Sequence, residues 1–126
     1  MGRIMGDDQK QLAGERVLVV EDEVLVALDL EAILSDAGAD VELARTTQAA
    51  LERLACAPIT VAILDVRLGR DTVSPVASRL AESGIPFVFY TGQSMCDPIL
   101  ADWPDRKIIP KPARSASIVR ALTEVR

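Results

Sequence analysis

Apolar residues gather along this chain in two rhythms. The runs RVLVV at 16–20, ITVAIL at 59–64 and IPFVFY at 85–90 are unbroken and rich in β-branched and aromatic residues. Short runs of this kind predict strands buried on both faces. DVELA at 40–44 alternates and predicts another strand, while RKII at 106–109 makes a brief fifth one, stopped by Pro110 and Pro112. Between the strands the spacing changes to three and four. In EDEVLVALDLEAILSDAG, residues such as Leu25, Leu28 and Ala32 recur at helical intervals, and Gly38 supplies a stop. Thr46 or Thr47 caps a helix running to about Ala55. Residues 71–83 predict a third helix with Pro75 in its first turn, where the missing N–H costs little. After TGQS the periodicity fades, so MCDPILADW is at best a short or irregular helix; SASIVRALTEVR closes the chain as a regular one.

Strands alternating with helices imply right-handed crossovers and a parallel sheet covered on both sides. Five such units in 126 residues make one α/β domain, a three-layer α/β/α sandwich. Residues 1–14, MGRIMGDDQKQLAG, read as a flexible leader, leaving 15–126 as the folded unit. The composition narrows the chemistry further. A net charge of −5 removes the basic footprint expected of a nucleic-acid binder. No apolar run approaches a membrane span and the start lacks a secretory signal, so the expected location is the cytoplasm. With no histidine, a His-containing zinc site and a Ser-His-Asp triad are both excluded. The two cysteines, Cys56 and Cys96, then read as reduced thiols.

Open parallel sheets bind ligands beyond the carboxyl ends of their strands. Glu21, Asp22 and Glu23 follow the first strand, Asp65 the third, Thr91 and Gly92 the fourth, and Lys111 the fifth. Each has an ordinary explanation: acids suit a helix start, Asp and Gly suit turns, and a loop lysine is unremarkable. Their common edge makes coincidence a poor account. Clustered carboxylates need a cation to coexist ionised, and hard oxygens without a histidine or a cysteine cluster suit Mg²⁺. Thr91 and Lys111 offer a hydrogen-bond donor and a positive charge to phosphoryl oxygens. A carboxylate so screened can attack phosphorus, which explains why a core strand ends in Asp65.

From about residue 15 onward, the chain resembles the receiver domain of bacterial two-component response regulators. VLVVEDE resembles the acidic pair, AILDVRLG the phosphoacceptor segment, FYTG the switch hydroxyl and IIPKP the lysine-proline of that family. The resemblance implies a flavodoxin-like, doubly wound sheet of strand order 2-1-3-4-5. It implies phosphorylation at Asp65, direct Mg²⁺ ligation by Asp22 and by the Arg67 carbonyl, and Glu21 acting near the metal. Thr91 and Lys111 would contact the phosphoryl group. A sensor histidine kinase or phosphotransfer protein would supply it, and the chain would catalyse only its own phosphorylation and dephosphorylation. The face of the fourth helix, fifth strand and last helix is the expected surface for a downstream protein partner.

Three departures from the family pattern bear on switching. The position three before the lysine, often aromatic, is Ile108. The interval from Thr91 to Lys111 is short. PFVFYTGQ resembles a Phe-Ala-Thr-Gly-hydrophobic-Tyr variant of receivers, with Tyr90 in place of the Ala and no Tyr after Gln93. An aromatic toggle of the usual kind is therefore not expected. The competing readings are a flavin carrier, an Asp-nucleophile phosphatase and a degenerate or phosphate-sink receiver acting by binding alone. The first needs a phosphate loop where Glu21-Asp22-Glu23 stands, and the second a further acid where Arg67 stands. The third normally shows a broken acidic site. A stand-alone receiver is expected, with the phosphorylated face itself as the output.

Overall fold

The computed structural model describes residues 10–92 and 97–126. In chain order its elements are β1 (Arg16–Val20), α1 (Val24–Asp36), β2 (Asp40–Ala44), α2 (Thr47–Cys56), β3 (Val61–Leu64) and β4 (Arg67–Leu68). Then come β5 (Asp71–Thr72), α3 (Ser74–Glu82), β6 (Phe87–Thr91), α4 (Pro98–Ala101), β7 (Ile108–Pro110) and α5 (Ser115–Val125). Five strands form one parallel sheet in the order β2-β1-β3-β6-β7, which is the expected 2-1-3-4-5 once the small β4–β5 hairpin is set aside.

The unbroken apolar runs are explained by what each face of the sheet covers. Leu18, Val20, Leu64, Phe87 and Phe89 point to one side, against Ala50 of α2, Leu80 of α3 and Leu100 of α4. Their alternates Val17, Val19, Ile63 and Val88 point to the other, against Leu30 and Leu34 of α1 and Ile118 and Leu122 of α5. Each large side chain so buried contributes about 1.5–3 kcal/mol.

Several boundaries differ from expectation. The first helix begins at Val24 rather than with the acids, because the Glu21 amide bonds the Ala44 carbonyl at 3.0 Å and keeps the chain extended. Part of the expected leader is packed: Leu12 is fully buried and its amide bonds the Ala37 carbonyl at 2.8 Å. Gly38, at φ +96°, lets α1 end beneath this turn, where an added Cβ would lie 3.2 Å from the Ala13 nitrogen. The rest of the leader, residues 1–9, lies outside the described residues.

The helix expected over 71–83 starts only at Ser74, with Pro75 in its first turn as anticipated. Asp71 and Thr72 instead pair antiparallel with Leu68 and Arg67, so the turn foreseen after Asp65 is a hairpin. Its two-residue loop begins with Gly69 at φ +61°, the placement a type II′ turn requires. Among the described residues of the weak region after the fourth strand is the short helix α4, capped by Asp97.

Candidate functional site

The switch point of the sheet falls between β1 and β3, whose successors are Glu21 and Asp65. Both residues prolong the ladder: the Asp65 amide bonds the Val20 carbonyl at 2.9 Å, as the Glu21 amide does that of Ala44. On the other side of β3, Thr91 closes β6, and the Lys111 amide bonds its carbonyl at 3.0 Å. Backbone pairing thus sets these residues at one sheet edge before any side-chain contact is made.

The side chains then converge. Lys111 Nζ lies 2.7 Å from Glu21 Oε1 and 3.1 Å from Asp65 Oδ2. Glu21, Asp65 and Thr91 are the buried polar residues among those described. Carboxylate oxygens of Glu21, Asp22 and Asp65 all lie within 4.8 Å of one another. Glu21 Oε2 also accepts from the Glu23 amide, and Asp65 Oδ1 from the Arg67 amide at 3.4 Å. Burial pushes the Glu21 carboxyl up to about 7, against the pull of Lys111 and with the neighbouring Asp65 adding to the rise. For Lys111, burial acts to lower the ammonium, but the Glu21 and Asp65 carboxylates outweigh it and the group stands above 10.5. Three carboxyl groups gathered around one ammonium favour a further cation. All three donors are hard oxygens, which suits Mg²⁺.

The remaining expected residues are more dispersed. Arg67 opens the hairpin with its side chain pointing to Asp97, 3.1 Å away, and its neighbour Gly69 leans over Asp22. Tyr90 is buried on the α1/α5 side of the sheet; its hydroxyl accepts from the Ala113 amide at 3.4 Å and its ring lies 5.5 Å from Lys111 Nζ. Ile108 packs on the opposite face, beside the α2, α3 and α4 residues. These two residues therefore address different helices. Gln93 and Cys96 lie outside the described residues. Two residues make contacts here to which the sequence assigned no role. Arg45 donates to the Asp22 carbonyl at 3.3 Å, and Asp97 both caps α4 and holds Arg67. The Asp-Pro pair at 97–98 signals a helix start, but nothing in the sequence joins it to Arg67.

Residues 17–123 match the family described as response regulator receiver domain. Transcriptional regulatory proteins DltR of two Streptococcus agalactiae strains are 35% identical over 81 residues, 63% of this chain. That match covers 36% of the relatives, so it spans about a third of their length. The crystal structure of a response regulator receiver protein from Sinorhizobium medicae superposes with a TM-score of 0.77 at 28% identity, covering 87% of this chain and 92% of that one. The fold is shared too with the response regulator TrrA of Thermotoga maritima, solved with Mg²⁺ and BeF (TM-score 0.77, 20% identity, 87% and 97% covered). With its sheet order, its acidic edge and this match over nearly its whole length, the chain belongs to the response regulator receiver domain family, the signalling modules of two-component systems.

Proposed function

We propose that the chain is a phosphoacceptor and that Asp65 takes the phosphoryl group. The observation that carries this reading is a buried carboxylate at the end of a central strand, with Lys111 at 3.1 Å and the Glu21 and Asp22 oxygens alongside. By the family pattern, Asp22 and the Arg67 carbonyl would hold Mg²⁺ with Asp65, and Glu21 would act beside it. Bound there, Mg²⁺ supplies positive charge that lets an anionic phosphoryl donor approach a cluster of acids. An Asp65 oxygen attacks phosphorus on the phosphohistidine of a sensor kinase or phosphotransfer protein. The O–P bond forms as the P–N bond breaks, and the electron pair leaves with the imidazole. Lys111 turns from Glu21 to a phosphoryl oxygen, and the Thr91 hydroxyl donates to another. Hydrolysis later returns the carboxylate and inorganic phosphate, so the chain acts catalytically only on itself.

The same reading makes the chain a cytoplasmic signalling protein; no helix among the described residues is long and apolar enough to cross a membrane. Its output goes to a protein partner at the face of α4, β7 and α5, with Tyr90 moving alongside Thr91. The net charge of −5 argues against nucleic-acid contact by this segment. Acetyl phosphate and Mg²⁺ test the chemistry: an Asp65 oxygen displaces acetate, and intact mass rises by one phosphoryl group that base removes. Asp65→Asn should abolish the gain. Equal labelling of that variant overturns the assignment.

A further inference from the structure

With isoleucine at 108, a signal from Asp65 needs another way out, and one ion pair bridges the gap. Arg67 is rooted two residues beyond Asp65, and its amide touches Asp65 Oδ1. Its guanidinium meets Asp97 Oδ2 at 3.1 Å, while Asp97 Oδ1 accepts from the Ile99 amide at 3.2 Å and caps α4. One carboxylate thus joins the acceptor loop to a helix of four residues. A helix that short has no stability of its own and depends on such ties. Its other ties include the burial of Ile99 and Leu100 and the bond from the Trp103 amide to the Leu100 carbonyl.

The two partners differ in freedom. The Arg67 side chain is 61% exposed and can swing without desolvation, whereas that of Asp97 is 9% exposed. A phosphoryl group carries about −1.5 to −2 charge and several acceptor oxygens, against one carboxylate. We propose that phosphorylation of Asp65 draws the Arg67 guanidinium off Asp97 and thereby releases α4. The largely enclosed Asp97 then loses its countercharge, and α4 loses the tie that holds it to the acceptor loop. The Arg67–Asp97 pair is then a latch of the unphosphorylated state, and α4 is the element it frees. This rests on the phosphoacceptor reading above.

Hydrogen exchange over residues 97–103, with Trp103 emission, follows the latch. Each variant is measured with and without Mg²⁺ and beryllofluoride, and fluorine NMR reports whether the site is filled. In the unmodified protein the mimic should raise exchange there on the order of fivefold, the scale of one such ion pair. Asp97→Asn keeps a capping side chain but loses the charge. It should show the raised exchange without the mimic and gain nothing more from it. Arg67→Gln should do the same, and Arg67→Lys should keep the response. A merely structural pair gives additive effects, with the mimic raising exchange in Asp97→Asn by the full factor; that outcome overturns the latch. Unmoved exchange in the unmodified protein with a filled site also overturns it, and leaves phosphorylation standing. A site that accepts neither acetyl phosphate nor the mimic removes the phosphoacceptor reading and the latch together.

Discussion

Glu21 shows how far a single buried group governs this protein's response to pH. Its carboxyl is raised from 4.5 to about 7, chiefly by burial. Between those values the folded chain holds a proton that the unfolded chain has released. Stability contributed by this residue is therefore present at low pH and lost as pH rises through about 7, with a slope of at most about 1.4 kcal/mol per pH unit. Denaturant titrations of the metal-free protein from pH ~5 to ~8 should show this fall, and Glu21→Gln should flatten it. Lys111, raised above 10.5, contributes its own stability throughout that range and loses it only at more alkaline pH. Lys111→Met leaves Glu21 and Asp65 without a countercharge. It should cost about 3 kcal/mol at pH ~8, and less at pH ~5 where Glu21 is protonated. An equal cost at both pH values would show that Glu21 does not titrate there.

At the scale of elements, local signals and chain contacts divide the work. Thr46 accepts from the Ala49 amide at 3.0 Å, so its role as a cap was readable from its place before an apolar-periodic run. Thr46→Ala should lower stability by about 1 kcal/mol in thermal or urea unfolding. Gly38→Ala should cost more than that, because the left-handed φ and the close approach of Ala13 both resist a Cβ. The hairpin was harder to see. Gly69 was a visible turn former, but two strands of two residues each carry no periodicity, and Asp71 and Thr72 look like an ordinary helix start. The short α4 was legible only as weakness of pattern, since its order depends on Arg67 and on the core beneath it.

For the whole molecule, metal, phosphoryl group and stability are linked by mass action. Mg²⁺ at millimolar concentration should raise the melting temperature by preferential binding to the folded state. Asp22→Asn should weaken the effect, while raising metal-free stability where it relieves repulsion. A melting temperature indifferent to Mg²⁺ in the unmodified protein would count against the cation site. Trp103 offers a second global readout. It packs edge-to-face on Phe87 at 5.5 Å, and its Nε1 is buried without a hydrogen-bond partner among the described residues. Release of α4 should let water reach that nitrogen and shift emission to the red. Thr91→Ala should blunt the shift while leaving Asp65 able to react; an undiminished shift would remove Thr91 from the route.

The order of amino acids revealed the class of fold, the five core strands and the residues at their carboxyl ends. It could do so because burial imposes a period on the chain and strand ends inherit their position from the sheet. Asp65, Glu21, Asp22, Thr91 and Lys111 were all recoverable from that rule. Tertiary structure alone decided how their charges combine. Lys111 lies 90 positions from Glu21, yet at 2.7 Å it offsets part of the burial that raises the carboxyl. It alone decided that Tyr90 and Ile108 face opposite layers, that residues 10–14 pack against the end of α1, and that Arg67 finds Asp97. Such pairings depend on loop paths and side-chain reach across a folded surface, and those distances have no period along the chain.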